Sequence, residues 1–407
     1  IDPIAQREAE ELIPANQLLN AAERLRKERQ ERLAENAKKE GKMLAPRPER
    51  NVLCLSGGGA LGAYSVGVLV GWTERGDRPT FDVVTGISTG ALIAPLAFLG
   101  PKYDDLLQEF YTTRDQRDLF VVRPLRAVFG ESIVDNSRMA AQVHSVITPQ
   151  FVEELADAHR HGRRLYIGTT EMEGRRFVVW DIGAIACRQE PRDRELIIQI
   201  ILASAAPPGL FPAQKIDVCV DGHCHTERHA DGAISQQLFF EPPYVPLAER
   251  SSVAARDLSG VKVHVIVAGK LYADPEVIRP RALAQAGKSV STLIHAQMRG
   301  DLQALYTTCL LAGMDFYLSA IPQDSPLQAR SFEFRRDVMS ALFEEGRGTM
   351  RTERPWRTLP PGAEPGESVL HRAGTDLIHV PRGPIAPIKG PRGTRIPPKL
   401  PSTTLTP

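Results

Sequence analysis

The chain has 407 residues, enough for one large α/β domain with extensions or for two domains. A formal net charge of +1 with 24% charged residues leaves no global field that would draw a nucleic acid or an anionic membrane. The 42% hydrophobic content is that of a soluble globular protein. Two uncharged windows, Asn51–Thr73 and Val83–Pro101, have the length of a membrane span. Each carries glycines in its middle and divides into a strand followed by a helix, so both are read as buried strand–turn–helix units.

Residues 1–45 are polar and helix-prone, with a thin apolar stripe of Leu18, Ala22, Leu25 and Leu33. Too few heptads are sustained for a coiled coil, so this is an exposed or partner-packed helical extension, closed by Pro46 and Pro48. The core begins with a strand at Asn51–Ser56, a glycine turn at Gly57–Gly59 and a helix at Leu61–Glu74. A second unit runs from a strand at Phe81–Val84 through Gly86-Ile87-Ser88-Thr89-Gly90 into a helix over Thr89–Leu99. Helices follow at Tyr103–Thr113 and Pro149–His161, then a hairpin pairing Arg164–Glu171 with Arg175–Ile182. Glu190–Ala206 is a helix with Leu196, Ile197, Ile200 and Ile201 on one face, and Pro207 and Pro208 forbid its continuation.

Next come a hairpin over Lys215–His229 and the tripeptide Asp231-Gly232-Ala233. Val261–Ala268 has the pattern of a central strand, and Ala282–Leu311 that of a helical pair broken near Gly300-Asp301. A strand at Asp315–Ile321 and a helix at Phe334–Glu345 complete the regular elements. Strands alternating with helices argue for a mostly parallel α/β sheet. Beyond about Arg351 the chain is rich in Pro, Gly, Thr and Arg without periodicity, which predicts an extended or disordered tail. The organisation expected is therefore an arm at 1–48, a catalytic domain at 49–350 and a tail at 351–407.

Of five cysteines, Cys219 and Cys224 flank Asp221-Gly222, a strong hairpin turn. That register puts Val220 opposite His223 and Cys219 opposite Cys224 at a non-hydrogen-bonded pair, where a disulfide can close. A bridge there favours an oxidising compartment and an export route; two reduced thiols on a hairpin are the alternative.

Two motifs carry chemistry. Gly86-Ile87-Ser88-Thr89-Gly90 between a buried strand and a helix is a nucleophile elbow. Its turn is so sharp that Gly86 and Gly90 must be nearly free of side chain for strand and helix to pass. Ser88 then sits at the positive end of the helix, facing any oxyanion that develops. Gly57-Gly58-Gly59-Ala60-Leu61-Gly62 also follows a strand and opens a helix, and so fits the dinucleotide fingerprint. Asp77 has about the spacing of a ribose acceptor but precedes the next strand, and that strand ends in the serine elbow. Backbone N–H groups of Gly57, Gly58 and Gly59 serving as an oxyanion hole use both motifs, whereas dinucleotide binding wastes the second.

Serine needs a proton acceptor. None of the ten histidines has a triad context. His223, His225 and His229 could gather a metal, though a solvated hairpin accounts for them. Asp231, projecting from a tight loop beside Gly232, is the better base, with an ordinary Asp-Gly turn as the bland alternative.

Four ordered pieces, LSGGGALGAYSVGVL (55–69), GISTG (86–90), ASAAPPGLFPA (203–213) and DGA (231–233), make the chain resemble the patatin-like phospholipases, lipid acyl hydrolases related to cytosolic phospholipase A2. The resemblance covers roughly 55–325. It implies a three-layer α/β/α hydrolase with a mostly parallel central sheet. It also implies a Ser88–Asp231 dyad without histidine, oxyanion donors at Gly57, Gly58 and Gly59, and supporting glycines at 62, 86, 90 and 232. No cofactor, calcium or other metal is expected, and no nucleic acid. The partners implied are a lipid substrate and transient contact with a membrane or micelle surface. A lipid transacylase or an inert lipid-binding protein are the alternative readings. One departure is Leu61, where the family usually carries a basic residue before the last glycine of its loop.

Overall fold

The structure, a computed structural model, describes residues 49–122, 132–220, 222–240, 258, 260–274, 282–327 and 330–363, with helical positions at 24, 27, 28, 31 and 35. The rest of the expected arm at 1–48, the tail beyond 363 and Asp221 lie outside the described residues. Eight strands form the main sheet: β1 (Arg50–Leu55), β2 (Val83–Gly86), β5 (Arg164–Glu171), β6 (Arg176–Asp181), β7 (Gln214–Val220), β8 (His223–Asp231), β9 (Val261–Lys270) and β10 (Asp315–Ile321). The short pair β3 (Val121–Val122) and β4 (Val134–Asp135) stands apart from it. The order is β10-β9-β1-β2-β5-β8-β7, parallel from β10 to β5 and antiparallel beyond.

Both faces of the parallel half are covered, which is why its strands read as nearly continuous apolar runs. On one face Leu53, Leu55 and Val84 pack with the helices Gly62–Arg75, Thr89–Leu99 and Arg336–Thr349. On the other, Val52, Cys54, Val83, Val263 and Val265 pack with Met298, Leu302, Leu305 and Cys309 of the helix Ala282–Ala312. The period-two alternation along β1 thus feeds two cores and makes the three layers.

Strand β5 sets the position of the site. Its edge away from β6 is shared by two strands that arrive from opposite directions. Parallel β2 ends with Gly86 opposite Ile167, and antiparallel β8 ends with Asp231 opposite Thr169. The carboxyl ends of β2 and β8 therefore meet head to head, two residues apart along β5.

Two expectations are corrected. Ala282–Ala312 is one continuous helix, not a pair broken near Gly300-Asp301. Gly300 is exposed and costs a helix only about 1 kcal/mol. The buried stripe runs on through it, and Asp301 accepts hydrogen bonds from the backbone N–H of Gln237 at 2.6 Å and Leu238 at 3.4 Å. Residues 351–363, assigned to the tail by composition, pack on the body. Arg357 bridges to Leu318 of β10, and the Trp356 ring lies 4.8 Å from Trp72. The Cys219–Cys224 disulfide is closed, with the two residues directly opposite across β7 and β8.

Candidate active site

The elbow forms as its residues require. Ser88 has φ 55° and ψ −124°, a strained conformation for a residue with a side chain, and caps the helix Thr89–Leu99. A Cβ on Gly86 would lie 2.4 Å from the Gly90 carbonyl oxygen, and one on Gly90 would lie 2.5 Å from that of Leu55. Strand and helix cross too closely for any side chain at either position. The other supporting glycines have the same cause: a Cβ on Gly62 would meet Thr89 Oγ1 at 2.5 Å, and one on Gly232 the Gly168 carbonyl oxygen at 2.5 Å.

Ser88 Oγ donates a hydrogen bond to Asp231 Oδ2 at 2.8 Å, across 143 residues of sequence. The two residues are 8% and 3% exposed. Asp231 Oδ1 accepts from the Ala233 N–H at 2.9 Å, a short Asx turn that Gly232 permits and that fixes the carboxylate plane. Its main chain is tied as well: Asp231 N–H donates to the Ala206 carbonyl, and its own carbonyl accepts from Thr170 Oγ1 at 3.0 Å. Burial pushes the Asp231 carboxyl up to about 7, against the opposing pull of the Ala233 and Ser88 hydrogen bonds. A carboxylate with that basicity can take a proton from a hydroxyl near neutral pH.

The glycine loop runs beside this pair. A Cβ on Gly57 would come 3.1 Å from Ser88 Cβ and 3.4 Å from Ala233 Cβ, so Gly57 faces the serine and the Asp231 turn together. Gly58 and Gly59 close instead against the backbone of Ala268 and Ser331, Gly59 with φ +57°. The loop's shape is held through other groups. Ser56 Oγ donates to the Gly57 carbonyl at 2.8 Å and accepts from Ala268 N–H, while Ala60 N–H donates to the Ser331 carbonyl. Among the described residues no hydrogen bond uses the amide N–H of Gly57, Gly58 or Gly59.

Several residues at the site carry no signature in the sequence. Ser204 Oγ accepts from the Ser88 N–H at 3.0 Å and donates to the Gly168 carbonyl at 2.6 Å, tying the elbow to β5. Its only signal is its place inside the Ala-Ser-rich segment ASAAPPG. Gln237 donates from Nε2 to the Ala233 carbonyl at 2.7 Å, bracing the turn that holds the carboxylate.

The histidine trio does not converge. His223 and His225 are exposed, whereas His229 is wholly buried between Thr169 Oγ1 at 2.9 Å and Glu227 Oε2 at 3.0 Å, and is not part of a solvated hairpin. No cluster able to hold a metal ion occurs among the described residues. Asp77, the residue a ribose would need, is paired with Arg75 at 2.7 Å beyond the carboxyl end of the helix Gly62–Arg75. At 1.5 Å per residue that places it roughly 20 Å from the glycine loop, so a dinucleotide there lacks its acceptor.

Leu61 packs against the apolar core and brings no charge to the loop.

Solved structures similar to this chain include VipD from Legionella pneumophila, at 13% identity and TM-score 0.37, covering 75% of this chain and 66% of that one. The type III effector protein ExoU is similar at 14% identity and TM-score 0.34, covering 75% of this chain and 52% of that one. The chain thus spans just under two thirds of the first and about half of the second. No curated protein sequence matches it. Residues 53–244 match the family model described as patatin-like phospholipase, a stretch that holds the glycine loop, the serine elbow and the Asp-Gly-Ala turn in that order. Over those residues the chain carries a patatin-like phospholipase domain.

Proposed function

We propose that the protein is a serine acyl hydrolase acting on fatty-acyl esters of lipids. The observation that carries this reading is the 2.8 Å hydrogen bond from Ser88 Oγ to a buried carboxylate whose pKa stands at about 7. In the reaction, Ser88 Oγ attacks the ester carbonyl carbon as Asp231 Oδ2 takes its proton. The carbonyl oxygen becomes an oxyanion, which the amide N–H groups of the Gly57–Gly59 loop receive. Collapse of the tetrahedral intermediate expels the alcohol, which takes the proton back from Asp231, and leaves an acyl-Ser88 ester. Asp231 then draws a proton from water, the hydroxide attacks the acyl carbon, and the second collapse returns the proton to Ser88 Oγ and frees the fatty acid. One carboxylate serves as base and acid in both halves. Ser204 and Gln237 support this by fixing the elbow and the turn that hold the two reacting side chains.

The test is a panel of phospholipid, lysophospholipid and neutral-lipid esters, with released fatty acids identified, run beside Ser88→Ala. Ser88→Ala is expected to lose at least a hundredfold in turnover, the usual scale for a missing nucleophile or acid–base group. Wild type is expected to be labelled by a fluorophosphonate and Ser88→Ala is not. Turnover by Ser88→Ala close to wild type would remove the mechanism. Failure of the wild type to label would favour an inert lipid-binding protein, and acyl transfer to added alcohols in place of hydrolysis would make it a transacylase.

A further inference from the structure

We propose that Asp301 is a positioning residue for the reaction at Ser88, acting through Gln237 on the turn that aims the Asp231 carboxylate. This rests on the acyl-hydrolase reading for what is positioned; the hydrogen bonds that make the path stand without it.

Asp301 lies inside the helix Ala282–Ala312, where aspartate is a weak helix former and partial burial pushes its carboxyl up. Among the described residues no cation pairs with it, and amides take its oxygens instead. Oδ2 accepts from the Gln237 N–H at 2.6 Å and the Leu238 N–H at 3.4 Å. Oδ1 accepts from Gln297 Nε2 at 3.1 Å, one turn back on the same helix. Gln237 and Leu238 are both buried, and among the described residues neither N–H has another acceptor. Taking the carboxylate away therefore strands two buried donors, which the segment satisfies only by moving toward water.

What would move is the segment that follows the catalytic carboxylate. After the short turn Gly232–Ile234, Gln237 reaches back and donates from Nε2 to the Ala233 carbonyl at 2.7 Å. The N–H of that same Ala233 holds Asp231 Oδ1 at 2.9 Å, which leaves Oδ2 for Ser88 Oγ. The other end of the Gln237 amide borders the glycine loop: Oε1 lies 3.4 Å from where a Cβ on Gly57 would stand. One side chain thus touches the turn of the base and the loop beside it, and Asp301 sets its main chain. Ser235 is gripped as well, its carbonyl by Gln297 Nε2 at 3.2 Å and its Oγ by Thr170 Oγ1 at 2.9 Å. The helix therefore holds the segment at two points one turn apart, through Gln297 and Asp301.

Misplacing a reacting group by about 1 Å can cost a hundredfold in rate. A turn that drifts tilts the Asp231 carboxylate away from the serine proton. That loss falls on kcat, because the aligned pair is needed once the ester is already bound.

The test compares Asp301→Leu, Asp301→Asn, Gln237→Ala and the double variant Asp301→Leu with Gln237→Ala in the full chain. Turnover is normalised to the sites that a fluorophosphonate labels. Asp301→Leu is expected to lower kcat about tenfold with KM within about twofold. Asp301→Asn keeps an oxygen for the Gln237 N–H and should stay within about threefold of wild type. The double variant should lose no more than Gln237→Ala alone, since both substitutions cut one path. Amide hydrogen exchange is the arm independent of catalysis. Exchange across residues 232–238 should quicken at least about tenfold in Asp301→Leu, with the helix Gly62–Arg75 unchanged. Asp301→Ala replaces Asp301→Leu if the larger side chain does not fold. Wild type that neither hydrolyses lipid esters nor labels strikes the hydrolase reading, and exchange then decides whether Asp301 holds the turn. Unchanged exchange in Asp301→Leu overturns the proposal. So do single-variant losses that multiply in the double, equal losses in Asp301→Asn and Asp301→Leu, or wild-type kcat per labelled site with only stability lowered.

Discussion

At the scale of single residues, the site depends on a carboxylate that is costly to keep. Among the described residues no cation stands beside the buried Asp231, and the Ala233 N–H and the Ser88 hydroxyl offset its desolvation. Because the folded pKa of about 7 lies above the ordinary 3.8, the folded state holds a proton that the unfolded state has released between those two pH values. Stability from this group is therefore complete below about pH 4 and lost as pH rises toward 7. Asp231→Asn keeps the shape and removes the charge. It is expected to abolish turnover while raising stability at pH 8, by up to about 4 kcal/mol, and to change nothing at pH 4. Urea unfolding at the two pH values checks this, and equal effects at both would mean the carboxyl is not held up by burial. The same titration makes wild-type turnover rise with pH through about 7, since only the deprotonated form accepts the serine proton. Ser88 and Asp231 stand out in the sequence because glycines mark both turns, and the fold brings them to 2.8 Å. Ser204 does not, because a hydroxyl in an alanine-rich helix end has no local pattern, and its role comes only from β5 passing beside it.

At the scale of elements, what matters is how closely backbones pass. The sequence shows that Gly57 and Gly90 are bare, but not that they are bare for different reasons. A Cβ on Gly90 meets main-chain oxygens of Leu55 and Ser56 at 2.5 and 2.8 Å, and neither strand nor helix can yield. A Cβ on Gly57 meets only side-chain atoms, at 3.1 to 3.4 Å. Gly90→Ala is expected to cost the fold about 3 kcal/mol, seen as a lower urea midpoint, with activity lost through displacement of Ser88. On the proposed mechanism, Gly57→Ala should fold to within about 1 kcal/mol of wild type yet lose roughly a hundredfold in kcat, because its methyl fills the space between the glycine loop and Ser88. If Gly57→Ala turns over normally, Gly57 does not border the reacting carbonyl. The hairpin β7–β8 was readable down to its register, since Asp-Gly fixes the turn and the turn fixes which residues face each other. The helix Ala282–Ala312 runs through Gly300, where local propensity predicts a break, because the apolar stripe that tertiary packing uses continues past it.

At the scale of the whole molecule, the order of strands was not readable, because nothing local says that β8 will meet β2 head to head on β5. Nor was the packing of residues 351–363, where a lone Trp356 in proline-rich sequence closes a cage of rings. His264 of β9 is the centre of that cage, with Trp72, Tyr317 and Trp356 ring centroids 4.8, 5.0 and 5.3 Å away. Burial holds the His264 pKa down to about 3, so the folded protein keeps it neutral where the unfolded chain, near 6.5, takes up a proton. This group's contribution is intact above about pH 6.5 and lost as pH falls toward 3. Asp231 pulls the other way across much of the same interval, so the two titrations partly cancel in the wild type. Substitution separates them. His264→Phe keeps an aromatic ring in the cage and removes the titration. Its stability relative to wild type is expected to improve by about 2 kcal/mol between pH 7 and pH 5, measured by urea unfolding at each pH. A difference that stays constant across that range would show that the ring cage does not hold His264 neutral, and that closing of the fold by Trp356 leaves it open to water.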